Sequence, residues 1–470
     1  MTNKSLIYAF FVLLVAFLLN LSPVDIEGLK AVSHANQTLK EGQSLAALDQ
    51  YMAILSRSPE KVFLYQRTGE AAFLAGEFEL AKQYLELADN YNELDGTGLL
   101  ILGDVHQQNG DWKQAVNVWK KINLNKTNAK DLSTRLINIY ISQAMWNDAE
   151  NSLINQLKYY PEDIESSELR GWIVMFVDPV KAKLIFNDLS AGTDNAYHEV
   201  CNLIEKYPEI KNDAKEECIW WLEVGDLAVK NDHPEIALKA FEKSTQVEGN
   251  YAVGWVKIAL QKQSMHLDGE KEIKLARKYG ENDPIANAML AEYWYIEKKP
   301  ELSIIYLHKA LEIDPNSQYS SLRLSQILSE IGNINEGLKY IKLSALQLDT
   351  AYGWKNVITY CLENGIYIQD EALPAVRKAL SLEPDSSEIL DLAGQVFVAL
   401  EDDITAERYF TQAVTNDKSY YLAHLHLGSL LARIGSIEKA RIHLTTAAQQ
   451  SEDTSISDQA NQILTTIQAE

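Results

Sequence analysis

At 470 residues the chain has length for about three ordinary domains, or for one repeat array whose core is a continuous strip. Its 46% hydrophobic and 23% charged content argues against disorder, and its formal net charge of −23 argues against a nucleic-acid ligand, which needs a basic footprint. Three cysteines with no CxxC pair leave no disulfide framework and no thiolate zinc site.

The acidic balance reads first as a solvated surface and second as a match for a basic partner. Residues 1–4 are a short polar head that ends in Lys4. Leu6–Leu19 is an unbroken apolar run, LIYAFFVLLVAFLL, and the segment 5–24 nearly reaches the roughly 17–25 residues of a transmembrane helix. No small-x-small cleavage site follows closely, since Ser33-His34-Ala35 is distant and falls inside the first repeat helix. The run is therefore read as an uncleaved signal anchor; a cleaved signal peptide and a secreted product are the alternative. Lys4 before the run, with Asp25 and Glu27 after it, places the N-terminus in the cytoplasm and the rest outside, as a single-pass membrane protein.

A ruler of 34 residues starts almost at once. Ala35, Gly69, Gly103 and Ile137 keep that spacing, and so do Ala47, Ala81, Ala115 and Ala149. The stretch Leu102–Trp119, LGDVHQQNGDWKQAVNVW, shows one unit clearly: a helix, a tight turn at Gly110-Asp111, and a second helix. The first array spans 28–208, and its fifth hairpin, Glu165–Ser190, is degenerate. The period then breaks at an extra helix, Asn195–Lys206, which Pro208 is expected to end. Cys201 and Cys218 lie on either side of this break; buried free thiols are the expected state, with a disulfide across a hairpin as the alternative.

A second array spans 213–450. It opens with Trp221, Gly225, Ala237 and Phe241, and carries a weak second helix at Gly269–Tyr279. The unit Trp354–Pro384 has a longer turn at Asn364–Asp370, and Gly428, Gly435 and Ala440 mark the last hairpin. Residues 455–470 read as a C-terminal capping helix, which a stack of hairpins needs to cover its final apolar face.

Each residue type has a reason for its place. Small residues of the Gly103 and Ala115 kind let two helices approach closely. Large residues of the Trp119, Tyr51 and Phe410 kind are expected to fill the space between units. Gly42, Gly76, Gly110, Gly332 and Gly435 supply the left-handed turn, and Pro59, Pro161, Pro315 and Pro384 follow second helices that cannot continue through proline.

This pattern resembles the tetratricopeptide repeat: Leu-Gly, a Gly-Asp-aromatic turn, then Ala, a large residue, Ala and Pro. Leu99–Ile122 and Pro284–Pro315 carry it best, and the match covers nearly all of 28–450. The resemblance implies an all-α fold, a right-handed α-solenoid of antiparallel helix pairs with about twelve units.

Signals for chemistry are missing. There is no Gly-rich phosphate loop, HExxH, GxSxG or paired-Cys metal site, so no catalytic residue, cofactor or metal is assigned, and the chain is read as no enzyme. His424 and His426 stand two apart and point to different faces of a helix.

The family resemblance implies that ligands lie in a concave groove made by first helices. The candidates it projects are Gln66, Glu70 and Phe73, then Leu100, Asp104, Gln107 and Gln108. In the second array they are Leu222, Asp226 and Lys230, then Ala288, Glu292 and Tyr295, then Gln326 and Glu330. The Lys/Asn set of carboxylate-clamp repeats is absent at these places. Glu70, Asp104, Asp226, Glu292 and Glu330 imply instead an acidic wall for a basic or hydrogen-bonding partner.

The function expected is a membrane-anchored, non-enzymatic scaffold or adaptor for protein or peptide partners. Such anchored repeats resemble bacterial envelope proteins of secretion, outer-membrane biogenesis or polysaccharide assembly. The alternatives are an envelope holdase for unfolded clients and a regulatory subunit of a glycosyltransferase system. After Gln450 only one helix remains, which leaves no catalytic domain to place.

Overall fold

The computed structural model describes residues 26–190 and 197–469. The polar head and the expected anchor at 5–24 lie outside these residues. Among the described residues no helix is long and apolar enough to cross a membrane.

The described chain is all-α, with 26 α-helices and no strand. It divides into two compact units, Met1–Glu209 and Ile210–Glu470. In the first unit five helix pairs follow one another: α1 (Ile26–Lys40) with α2 (Ser44–Arg57), α3 (Phe63–Leu74) with α4 (Phe78–Asn90), α5 (Gly96–Gln108) with α6 (Trp112–Trp119), α7 (Ala129–Ser142) with α8 (Trp146–Leu157), and α9 (Ile164–Met175) with α10 (Pro179–Ser190). Helix α11 (His198–Ile210) follows.

The second unit has seven pairs: α12 (Ala214–Lys230) with α13 (Pro234–Val247), α14 (Ala252–Ser264) with α15 (Glu270–Tyr279), α16 (Pro284–Ile296) with α17 (Pro300–Ile313), α18 (Gln318–Glu330) with α19 (Ile334–Leu348), α20 (Ala351–Asn364) with α21 (Leu373–Leu382), α22 (Ser387–Ala399) with α23 (Asp403–Asn416), and α24 (Tyr421–Arg433) with α25 (Ile437–Gln450). Helix α26 (Thr454–Ala469) packs on both α24 and α25 and adds Ala460 and Ile467 to their core. Within each unit every second helix also packs on the next first helix, so each hairpin covers the face its predecessor leaves bare.

In many first helices a small residue is a seat for one large side chain, while α7 carries Ile137 at that place. A Cβ added at Gly103 would lie 2.0 Å from Trp119 Nε1, and one at Gly225 2.2 Å from Phe241. Gly69 with Leu85, Gly394 with Phe410 and Gly428 with Leu444 repeat the arrangement 16 residues apart, and Gly171 with Phe186 does so 15 apart. This corrects the expectation that these large residues fill the space between units. They lock each hairpin to itself, because residues 16 apart across a tight turn face each other on two antiparallel helices. Trp119 also donates its indole N–H to the carbonyl of Leu100 at 3.0 Å, and the Tyr51 hydroxyl donates to Asn36 at 2.6 Å.

The turns share one geometry. In the opening unit Gly110 has φ +79°, and the N–H of Asp111 returns to the carbonyl of His106 at 2.8 Å. Ala144, Asp232, His266, Lys298 and Glu401 take the same left-handed conformation without glycine. The repeat imposes the turn even where the residue opposes it.

Two expected boundaries move. Pro208 sits inside α11 and the helix runs on to Ile210; the ring gives up its own bond back toward Ile204, and the helix continues only two residues beyond it. The longer turn after Asn364 contains a wide π-type turn, Ile368–Ala372, entered through left-handed Gly365 and Tyr367. All three cysteines are buried and free.

Candidate partner-binding face on the first helices

First helices lie beside each other as well as beside their partners: α3 packs on α5, α14 on α16, α20 on α22, and α22 on α24. Their shared surface is where the projected candidates fall. Aspartate, serine and threonine caps start many of them: Asp95, Asp163, Asp213, Asp283, Ser317 and Thr350 each accept a backbone N–H of the first turn. Part of the acidic composition is thus spent on holding helix ends.

The acid one residue after the seat pairs with a base 31 residues later, on the next first helix. Asp104 takes a two-pronged bond from Arg135, at 2.7 and 3.0 Å. Asp226 takes Lys257, and Glu292 takes Arg323 at 2.7 and 3.0 Å. Burial works against the charge of Arg323, and the Glu292 hydrogen bonds outweigh it and hold its pKa above the ordinary guanidinium value. The hydrogen bond that Arg135 donates to Asp104 likewise raises the Arg135 pKa.

Other acids are satisfied too. Glu70 is buried, bonded to Gln66 at 2.6 Å and to Arg67 at 2.7 Å, and the charge of Glu70 raises the pKa of Arg67. Gln66, also buried, accepts the backbone N–H of Asp95 at 2.9 Å. Glu330 accepts the hydroxyl of Tyr295 at 2.8 Å. Glu292 also accepts that of Tyr319 at 2.7 Å, and burial followed by this bond pushes the Tyr319 pKa up.

The expected acidic wall is therefore corrected. These carboxylates stand in a ladder of ion pairs and hydrogen bonds rather than as bare charge. Partly exposed pairs of this kind contribute about 0–1 kcal/mol each, so the ladder fixes geometry more than stability. The pairing was legible in the sequence as an acid at n and a base at n+31; reading each helix alone missed it. Arg135, Lys257, Tyr319 and Arg323 are the residues so overlooked.

No family model matches the chain, and no curated protein matches it. Among solved structures, yeast Tom70 is 14% identical over 95% of this chain and 96% of its own, with a TM-score of 0.39. The Cut9 complex with Hcn1 is 14% identical over 92% and 95%, with a TM-score of 0.34. PilW, a type IV pilus biogenesis factor, is 17% identical over 46% of this chain and 98% of its own, with a TM-score of 0.35. At these levels they identify no family; the helical-repeat fold rests on the hairpins themselves.

The remaining candidates divide by burial. Leu222 and Ala288 are buried and contribute to packing. Phe73 and Leu100 are half-buried; Phe73 meets the edge of Phe78 with ring centroids 5.8 Å apart. Gln107, Gln108, Lys230 and Gln326 are exposed, and Gln326 accepts a bond from Arg323 at 3.3 Å. Tyr295 lies under the Arg323 guanidinium, 4.1 Å from its carbon to the ring centroid. The surface also carries apolar residues that were not singled out: Ile285, Tyr319 and Tyr352 stand at successive equivalent places and are all exposed. The two histidines separate as expected of an i, i+2 pair. His424 meets His443, while His426 meets Asp391. Among the described residues no group of three or more His, Cys, Asp or Glu is placed to hold a metal.

Proposed function

We propose that the chain is a non-enzymatic scaffold that binds protein partners along its first-helix faces. The carrying observation is the ladder of cross-helix pairs, Asp104–Arg135, Asp226–Lys257 and Glu292–Arg323, which holds a preformed surface. Between its rungs that surface presents exposed amides and aromatic rings. A preformed surface binds without ordering loops, so many shallow contacts add up. The apolar run at 5–24 supports a single-pass anchor with the repeats outside the cytoplasm. Together these support an adaptor of envelope assembly or secretion.

Crosslinking in the native membrane, followed by pull-down and mass spectrometry, tests the reading. One or two partners recovered in constant ratio are expected. Recovery of many unrelated unfolded chains at low yield would favour a holdase instead. Protease added to intact cells should digest the repeats; digestion only after lysis would overturn the outside placement. Turnover of any substrate by the purified chain would remove the non-enzymatic assignment.

A further inference from the structure

In the second unit an open cavity of about 330 Å³ lies among the first helices α20, α22 and α24. Its apolar side is Leu362, Val398 and Leu430, with Phe410 of α23 behind them. Its polar side is Gln395, His426, Ser429 and Arg433.

Below it is a carboxylate outside the ladder. Asp391 stands three residues before its seat Gly394, not one after, and is only 1% exposed. Both its oxygens lie 2.9 Å from His426 Nδ1, and one accepts Gln395 Nε2 at 2.9 Å. A carboxylate so buried is costly unless it is hydrogen-bonded. An ionised carboxylate only accepts, so this network assigns the proton of His426 to Nδ1 and the amide nitrogen of Gln395 to Asp391. His426 Nε2 and Gln395 Oε1 are then the atoms left for a ligand, and neither has a partner among the described residues. Arg433 spends one guanidinium nitrogen on Asp403 and keeps the others. Asp391 and Asp403 stand against the one guanidinium, Arg433, so the cavity has no surplus cation for a carboxylate. Its complement is an uncharged group with a donor and an acceptor beside an apolar body.

That description fits one stretch of peptide. We infer that this cavity anchors an extended segment of the partner, taking one uncharged apolar side chain against Leu362, Val398 and Leu430. The adjoining peptide N–H donates to Gln395 Oε1 or His426 Nε2, and its carbonyl accepts from Arg433. The assignment deepens the scaffold reading and rests on it.

The probe is an N-acetylated, C-amidated Ser/Gly peptide with one central photo-leucine, irradiated with the purified full chain in detergent. Crosslinks should concentrate on α20, α22 and α24. Ser429→Arg changes an exposed residue at the rim; it should cut crosslinking tenfold or more while the thermal midpoint stays unchanged. Replacing the residues beside photo-leucine with glutamate should weaken capture several-fold. Crosslinks spread evenly over the chain, or unaffected by Ser429→Arg, would overturn the assignment. The membrane pull-down repeated with Ser429→Arg separates the two readings. Partners lost with the peptide support the anchor; partners retained after the peptide is lost overturn it and leave the scaffold standing. No specific partner for the unaltered chain would remove the scaffold itself.

Discussion

The hairpins α5–α6 and α24–α25 obey the same ruler and are held together differently. In the first, Gly103 seats Trp119, a rigid ring further tied to the carbonyl of Leu100. In the last, Gly428 seats Leu444, which is smaller, flexible and without a hydrogen bond. A second pair of equivalent places differs as well. Leu99 and Val118 stand 4 before and 15 after Gly103; His424 and His443 stand at the same offsets from Gly428. Their ring nitrogens meet at 3.0 Å, and His424 Nε2 is buried without a partner. One repeat pattern thus yields a hairpin keyed by a rigid ring, with a single buried histidine, His106, beside it, and a looser one with two imidazoles in contact inside it.

The largest break in this contrast is Trp119→Ala. It removes a fully buried ring and a hydrogen bond, and should cost about 3–5 kcal/mol, read as a fall in the urea midpoint of the first unit. The same truncation at Leu444 should cost about 2–5 kcal/mol; a loss at Leu444 larger than at Trp119 would contradict the ranking. Methyl insertion separates the seats next. Gly103→Ala drives a Cβ into a ring that cannot move aside and should cost about 1–3 kcal/mol or more, whereas Gly428→Ala meets the flexible end of Leu444 and should cost less.

Acid should weigh more on the last hairpin, which holds two facing imidazoles, than on α5–α6, where burial lowers the pKa of His106 alone. Burial lowers the pKa of His424, and burial followed by the nearby His424 lowers that of His443. An imidazole with a depressed folded pKa leaves stability intact above the unfolded value of about 6.5 and removes it as pH falls through and below that value. The thermal midpoint of the second unit should fall between pH 7 and 5, and the double variant H424L/H443V should flatten that slope. An unchanged slope in the double variant would assign the acid sensitivity elsewhere. The smallest effect is Ala144→Gly. Ala144 holds φ +54° where neighbouring repeats use glycine, so the change should stabilise by about 0.5–1 kcal/mol in the same urea titration. The reverse change, Gly110→Ala, should destabilise by about as much.

Much of the architecture was legible from spacing. The seats, turns and helix ends recur every 34 residues, and packing in a repeat is local enough for a ruler to reveal it. Pro208 escaped because a proline removes one backward hydrogen bond and crowds the preceding turn without forbidding a helical φ, so the helix ends two residues after it rather than at it. The candidate face was legible only in part. The ruler marked the positions of Glu70, Asp104, Asp226 and Glu292, while their pairing depended on bases supplied by other positions.

By itself the sequence determined that the chain is a stack of helix pairs, where most turns fall and where many of the small seats stand. Those features depend on contacts within about one repeat, and a regular spacing records them. Tertiary structure decided that Trp119 and its equivalents lock their own hairpins and that the acid at n and the base at n+31 are partners. It also decided that Asp391, His426 and Gln395 converge beside a cavity. Their separations of 35 and 4 residues carry no signature as a set, because they meet only when two neighbouring hairpins stack.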